Sequence, residues 1–220
     1  MIARNSGMFS QTGNAFTRRS VLKMGGAGVL ALGVVGLTSC SSDSGGGASS
    51  GGKPVSGGTL RVGATSGSSS DSLDAQSPLT TMDFIRVGAL YEQLVKMNGQ
   101  TGRPELVLAE SIEPNADATE WTIRVKPDIT FHNGKALSSA DVLFSLQRIH
   151  ENNFPGLATM GPLNLAGASI MDDLTLRIPF DAPYGIFVEG LSDIFATRIV
   201  PEGYDPATPV GTGPFKFESF

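Results

Sequence analysis

The hydrophobic pattern of this chain changes character twice along its length. A continuous run dominated by Gly, Ala, Val and Leu occupies residues 24–36, and a segment made almost entirely of Ser and Gly follows at residues 41–52. From residue 57 onward, apolar residues either alternate with polar ones or recur at intervals of three and four. These periods predict strands and helices, so folded structure is expected only after residue 57.

Four short segments alternate polar and apolar residues, which is the period of a half-buried strand. They are residues 59–63, 120–126, 174–178 and a last one that runs from residue 215 toward the end of the chain. The second places Trp121, Ile123 and Val125 on one face, and Pro127 then removes a backbone donor and ends it. A loop rich in Ser, Gly and Asp is expected between the first strand and residue 74.

Two segments have the spacing of amphipathic helices. The first is predicted over residues 83–95, with Thr80 or Thr81 available to cap it. Its apolar positions are Phe84, Val87, Tyr91 and Leu94. The second follows a tight turn at Asn133-Gly134 and opens with a capping box at Ser138 and Asp141. Its apolar positions are Val142, Leu143, Leu146 and Ile149. The mixture of strands and helices predicts an α+β or mixed α/β domain.

Charge and length narrow the function classes. The chain has 220 residues and 40% hydrophobic residues, which is enough to bury a core. Its formal charge is −5; the first 39 residues hold four basic residues and no acidic one, so the rest carries −9. So acidic a domain is a poor candidate for binding nucleic acid or an anionic membrane through its surface.

The first forty residues have the layout of an export signal. Arg18 and Arg19 precede the apolar run at residues 24–36, as in a twin-arginine signal. As a helix this run would cover roughly 20 Å of a hydrocarbon core about 30 Å thick, so a signal is favoured over a membrane span. We therefore expect residues 1–39 to be a signal peptide.

The run ends at Cys40, the only cysteine, in the sequence Leu-Thr-Ser-Cys. This resembles the lipobox of bacterial lipoproteins, in which Cys40 would be diacylated and become the mature N-terminus. Several acyl chains give stable anchoring, and the Ser/Gly-rich residues 40–56 would form a tether. The alternative is a buried apolar helix followed by an ordinary cysteine. A single cysteine excludes an internal disulfide and a multi-cysteine metal site.

Candidate catalytic and metal-binding residues are sparse. His132 stands beside the predicted turn, where a framework role is favoured over catalysis, and His150 continues the polar side of a helix. Two isolated histidines do not make a zinc site. Gly26 to Ala31 match a dinucleotide-binding glycine pattern but lack the strand that this pattern requires, so no cofactor is expected.

Trp121 could stack on a ligand, but its alternation with Ile123 favours the core. Four acidic residues are spread through a Pro/Asn-rich region and are expected to be solvated: Glu110, Glu113, Asp117 and Glu120. No Ser/His/Asp grouping has the spacing of a nucleophile motif. The sequence therefore favours a protein that is not an enzyme over an exported hydrolase.

Eight ordered blocks of sequence carry a family resemblance. They are Gly57 to Gly63, Ser72 to Asp74, Tyr91 to Val95, Leu108 to Ser111, Trp121 to Pro127, Phe131 to Leu137, Ser139 to Leu146 and Pro209 to Phe215. In this order they resemble the family 5 extracellular solute-binding proteins, which are peptide, dipeptide and nickel binders of bacterial ABC importers. The resemblance covers residues 57–220 and implies a type II periplasmic-binding-protein fold. Family members are usually well over twice as long, so only the first of two lobes is expected, with the second largely missing.

The resemblance also implies a function and a site. The expected function is capture of a peptide or a related small solute for ABC permease subunits, on the outer face of the cell membrane or in the periplasm. The family's cleft segments correspond to residues 79–84 and 154–160, and the expected apolar contacts there are Leu79, Met82, Phe84 and Phe154. Each could instead pack against the adjoining helix. The alternative at the level of the chain is a truncated, non-binding remnant or a gene fragment of such a receptor.

Overall fold

The computed structural model describes residues 57–65, 71–192 and 197–219. Its elements are, in chain order, α1 (Thr81–Leu90), β1 (Val95–Met97), β2 (Pro104–Leu106), β3 (Ala109–Pro114), β4 (Glu120–Val125), α2 (Ser139–Glu151), β5 (Ser169–Asp172), β6 (Thr175–Pro179) and α3 (Phe187–Leu191). Short 3₁₀ turns at Pro155–Thr159 and Leu165–Gly167 lie between α2 and β5. The signal, tether and lipidation predictions, with Arg18, Arg19 and Cys40, fall outside the described residues.

The core is a four-stranded antiparallel sheet covered on one face by α2. The strand order is β3-β4-β6-β5, and β1 and β2 form a separate hairpin. Trp121 pairs with Ile178, and Ile123 with Leu176, so that apolar residues of β4 and β6 share one face. All of these side chains are buried, and burial of each aliphatic one stabilises the fold by about 1.5–3 kcal/mol.

The other face of the sheet is polar. Arg124 of β4 pairs with Glu110 of β3 at 2.8 Å, and Arg177 of β6 pairs with Glu120 at 3.6 Å. These side chains are 37–50% exposed, so solvent screens both ion pairs and each contributes little to stability. The sheet therefore has one face in the core and one face in water, as the alternation in β4 predicts.

Helix α2 confirms the second helix prediction. Ser138 and Asp141 form the predicted capping box, and Val142, Leu146 and Ile149 are buried against the sheet. The preceding turn also forms: the N–H of Gly134 donates to the carbonyl of Phe131 at 2.8 Å, and Gly134 has φ +86°. The strand predicted at residues 174–178 is present as β6, one residue later.

Three predicted elements are wrong in whole or in part. Residues 59–63 are not a strand: Leu60 and Val62 are 79% and 61% exposed, and among the described residues nothing pairs with this segment. Residues 215–219 are not a strand either, because their backbone bonds to the end of α1, with the N–H of Phe215 donating to Ala89 at 3.1 Å. In both places the alternation is present, but residues 57–65, 71–192 and 197–219 contain no strand paired with it.

The first helix ends earlier than predicted. It runs from residue 81 to 90, and Tyr91 has an extended backbone whose N–H still donates to the carbonyl of Val87. Tyr91 and Leu94 are buried as expected, but they lie beyond the helix. The predicted helix would have continued to residue 95, but Val95 instead begins β1 and pairs with Leu106 of β2. Pairing in this hairpin overrides the helical periodicity.

Candidate functional site

The segment predicted to contact solute lies at the N-terminus of α1. Thr80 is the N-cap and forms a capping box with Asp83. Leu79 and Phe84 occupy the two positions that often pack together at a helix start, yet Leu79 is 74% exposed. Met82 and Phe84 are half-buried. The side chain of Leu79 is therefore exposed to solvent directly before the capping box that begins α1.

Asp83 is the residue that fixes this backbone. Its carboxylate accepts N–H bonds from Ser72 at 2.9 Å, Leu79 at 3.2 Å and Thr80 at 3.0 Å. Burial opposes the charge, but these hydrogen bonds outweigh it and hold the pKa of Asp83 below its ordinary value. Arg86 lies 3.7 Å from the same carboxylate. The carboxylate therefore stays ionised near neutral pH and ties residues 72 and 79 to the helix.

The loop before this segment is tied to α2 by a buried ion pair. Arg148 donates to both carboxylate oxygens of Asp74, at 3.0 and 2.6 Å, and to the Gln76 side chain at 2.8 Å. The Gln76 amide in turn donates to the carbonyls of Ser145 and Arg198. Asp74 and Gln76 are both buried, so this network fixes the loop against two separate parts of the chain.

Two aromatic rings enclose the same arginine. The guanidinium of Arg148 lies 4.9 Å from the ring centre of Phe154 and 5.0 Å from that of Tyr204. Tyr204 and Tyr91 share a hydrogen bond of 2.8 Å, and both hydroxyls lie within bonding distance of the Leu73 carbonyl. Burial raises the pKa of both tyrosines, so they remain neutral. The Phe154 ring therefore packs on the Arg148 guanidinium in a cation–π geometry, which is a structural contact within the protein.

Two grooves in the described part of the chain lie away from the four predicted contact residues. A groove of about 480 Å³ lies at the end of α2, with His150 and Asp181 in its wall. A second, of about 360 Å³, lies between α1 and residues 216–219, with Arg86 and Ala89 in its wall. Leu79, Met82, Phe84 and Phe154 line neither of them. Their role as solute contacts stays a prediction.

His132 has the framework position that its turn predicts. Its Nδ1 accepts the N–H of Gly211 at 3.3 Å, and its Nε2 lies 2.8 Å from the carbonyl of Gly213. With Nδ1 accepting from Gly211, the hydrogen bond to Gly213 is one that Nε2–H donates. His132 joins the turn to the loop that passes the end of α1, where a Cβ on Gly211 would collide with the carbonyl of Leu90.

Trp121 is a core residue, as its alternation predicts. It is buried, its Nε1–H donates to the carbonyl of Tyr184 at 3.1 Å, and its ring packs edge-on against Phe187. His150 and the acidic residues Glu110, Glu113 and Asp117 are exposed, and Glu120 is partly exposed. Among residues 57–65, 71–192 and 197–219, no group of three His, Cys, Asp or Glu could hold a metal ion. In the same part of the chain, we find no α-helix with the length and apolar composition of a membrane span.

Comparison with known proteins decides the family. Residues 103–220 match the model of the bacterial extracellular solute-binding proteins, family 5 middle region, which is more than half of the chain. The chain belongs to family 5 of the bacterial extracellular solute-binding proteins. The described fold agrees, since it matches type II periplasmic-binding-protein structures over about two thirds of the chain.

Three relatives illustrate the likeness of this family 5 protein. The glutathione-binding protein GsiB of Pectobacterium atrosepticum is 30% identical over 119 residues, covering 50% of this chain and 23% of the relative. DppA of Helicobacter pylori, solved with the peptide STSA, has a TM-score of 0.58 at 24% identity, covering 68% of this chain and 35% of DppA. NikA of Brucella suis, solved with Fe(III)-EDTA, has a TM-score of 0.56 at 24% identity, covering 67% of this chain and 31% of NikA.

The family 5 chain spans about a quarter of the length of GsiB and about a third of DppA. The region matched by the family model contains Phe154 but begins after Leu79, Met82 and Phe84. Family membership is therefore established independently of residues 79–84, whereas the other predicted contact segment, residues 154–160, lies inside the matched region.

Two features of the site escaped sequence reasoning. One is the anchoring role of Asp83, although Thr80 and Asp83 have the three-residue spacing of a capping box, which could have revealed it. The other is the pairing of Arg148 with Asp74, which are far apart in sequence. No local pattern predicts such a long-range pair.

Proposed function

We propose that this family 5 protein is an exported, lipid-anchored receptor that captures a peptide or a related small solute for an ABC importer. The observation that carries the proposal is the family match over residues 103–220. It is supported by relatives whose names specify glutathione binding and by a solved relative with a bound peptide. The solute would be bound and released without chemical change, and ABC permease subunits would be the partners.

The proposed attachment to the membrane rests on the N-terminal sequence. Residues 1–39 would direct export through Arg18 and Arg19, Cys40 would carry the acyl chains, and residues 40–56 would be the tether. Residues 57–220 would be the solute-binding part. The protein would then lie on the outer face of the cell membrane or in the periplasm.

The proposed solute contacts are apolar. Leu79 is exposed on a backbone that Asp83 already fixes, so little conformational entropy would be lost when a solute covers it. Met82 and Phe84 lie in the next turn of α1 and are half-buried. Phe154 would contribute from the other segment, at the cost of part of its packing on Arg148. Apolar contacts of this kind suit the side chains of a peptide.

Thermal unfolding with defined probes tests the binding proposal. The full chain is heated with a pool of short peptides, with reduced glutathione and with a nickel–histidine chelate, each in separate samples. A peptide or glutathione should raise the melting temperature in a concentration-dependent way, because a ligand that binds only the folded state stabilises it. No shift with any probe would contradict solute binding by this chain and favour the alternative of a non-binding remnant.

Matched leucine variants test the predicted contact. Leu79→Ala should weaken the peptide-dependent shift, whereas Leu60→Ala, at a leucine with a similar exposure (79% against 74%), should leave it unchanged. Neither variant should alter stability without ligand by more than about 0.5 kcal/mol, because both side chains are on the surface. Equal peptide shifts in the two variants would remove Leu79 from the site and leave the receptor proposal intact.

Metabolic labelling tests the anchor. When the chain is expressed in a bacterium supplied with radioactive palmitate, label should appear in the protein and in the membrane fraction. Cys40→Ser should abolish labelling, and replacement of Arg18 and Arg19 by lysine should retain the precursor in the cytoplasm. Unlabelled protein with an intact Cys40 would refute lipid anchoring but not solute binding.

A further inference from the structure

Two Asn-Gly pairs stand in turns of the described fold, and they differ in one chemical respect. An asparagine followed by glycine can lose ammonia when the glycine nitrogen attacks the side-chain amide, because glycine has no side chain to hinder the approach. Asn98-Gly99 lies in the β1–β2 hairpin and Asn133-Gly134 lies in the turn before α2. Both glycines are exposed, so solvent reaches both sites.

The attacking nitrogen is free at the first pair and occupied at the second. Gly134 donates its N–H to the carbonyl of Phe131 at 2.8 Å. Among the hydrogen bonds of residues 71–192, none uses the N–H of Gly99 as donor. An N–H held by an acceptor must first break that bond before its nitrogen can lose a proton and attack.

The side-chain carbonyl that is attacked accepts more hydrogen bonds at Asn98 than at Asn133. The Asn98 side-chain oxygen accepts two backbone N–H bonds, from Gln100 at 2.9 Å and Thr101 at 3.0 Å. The Asn133 oxygen accepts one, from Lys135 at 3.0 Å. Donors directed at a carbonyl oxygen stabilise the negative charge that develops there during nucleophilic attack.

We infer that Asn98-Gly99 is a site of spontaneous deamidation in the folded protein and that Asn133-Gly134 is protected. The Gly99 nitrogen gives its proton to solvent base and forms a bond to Cγ of Asn98. The bond from Cγ to Nδ2 then breaks, and Nδ2 takes up a proton and leaves as ammonia. Water opens the resulting succinimide at either carbonyl, which gives aspartate or isoaspartate without any oxidation or reduction.

Modification changes the hairpin. The Asn98 amide lies 3.5 Å from the carboxylate of Glu105, which also pairs with Lys96 at 3.6 Å. A new carboxylate would stand beside Glu105, where like charges repel. The isoaspartate form also inserts a methylene into the main chain, next to the bond from the Asn98 N–H to Arg103. The end of the hairpin should therefore loosen while the main sheet is unaffected.

Peptide mapping of the full chain tests the inference, with the second pair as an internal reference. The folded protein is incubated at mildly alkaline pH and digested, and asparagine, aspartate and isoaspartate peptides are separated and quantified by mass spectrometry. Residue 98 should convert roughly tenfold faster than residue 133, the factor expected for breaking one hydrogen bond and losing one stabilising donor. In denaturant the two rates should become similar. Equal rates in the folded state, or a ratio that survives denaturation, would overturn the inference.

Gly99→Ala is the matched variant. A Cβ at Gly99 meets no atom within 4 Å, and this residue is outside the left-handed region, so alanine fits without strain. The variant should keep its melting temperature, slow conversion at residue 98 by roughly tenfold or more, and leave residue 133 unchanged. Conversion at residue 98 that is unaffected by this methyl group would exclude attack by the residue 99 nitrogen.

Discussion

Removal of the Arg148 guanidinium should cost a large part of the stability of the fold. In Arg148→Met the carboxylate of Asp74 loses both of the hydrogen bonds that Arg148 donates to it, and the Gln76 side chain loses one. Water cannot easily replace them, because the side chains of Arg148 and Asp74 are only 14% and 12% exposed. Breaking a buried pair by removing one partner costs about 3–5 kcal/mol. The stacking on Phe154 and Tyr204 would add about 0.5–1 kcal/mol for each ring. Because a domain has a total stability of about 5–15 kcal/mol, such a loss is large.

Urea denaturation followed by far-UV circular dichroism measures this loss as a shift of the midpoint at constant slope. Asp74→Asn combined with Arg148→Met should cost less than the sum of the two single changes, with a coupling of about 1–3 kcal/mol. Arg177→Met is the control, because Arg177 forms its ion pair with Glu120 at the protein surface. This variant should change the free energy of unfolding by no more than about 0.5 kcal/mol. If Arg148→Met shifts the midpoint no more than this control, the buried network does not have the role assigned to it.

The remaining predictions concern single positions. Gly211→Ala should lower the stability of the fold by about 1–3 kcal/mol, because the added Cβ would collide with the carbonyl of Leu90. The measurement is a comparison of melting curves, with Gly99→Ala as the control. Asp83 has a lowered pKa in the folded state, so its contribution to stability is present above its ordinary pKa of 3.8 and is lost as pH falls through the lower folded value. Stability measured across this acid range should fall less steeply in Asp83→Asn; equal slopes would contradict the assignment. Trp121→Phe should cost about 1–3 kcal/mol, through the lost hydrogen bond to Tyr184 and a partly empty site, and unchanged urea stability would exclude that core position.

The parts of the fold that sequence predicts correctly are those in which local chemistry and tertiary contacts agree. In β4 the alternation of Trp121, Ile123 and Val125 matches a sheet that is buried on one side. At α2 the capping box and the apolar spacing define one helix. Residues 59–63 have an equally good alternation, but within the part of the chain that the structure describes no strand pairs with them, and a strand is defined by its pairing.

Sequence gives the family and the candidate contact residues by resemblance, but it cannot give the interactions that place them. Leu79 is exposed because Asp83 and Ser72 fix the backbone around it, and that arrangement depends on a loop folding back onto α1. Phe154 faces Arg148, which is determined by packing between a helix and the turn that follows it. Contacts of this kind depend on the tertiary fold and leave no period in the sequence.

The central claim, that this family 5 protein binds a solute without altering it, is tested most directly by native mass spectrometry of the full chain recovered from a bacterial cell envelope. The account predicts a noncovalent adduct that leaves on unfolding and is identified as an unmodified peptide-like molecule. It also predicts that the same molecule, added back to the stripped protein, restores the adduct. A chain that carries no adduct and takes up none from a peptide-rich extract, or one that returns its added peptide chemically converted, would contradict it.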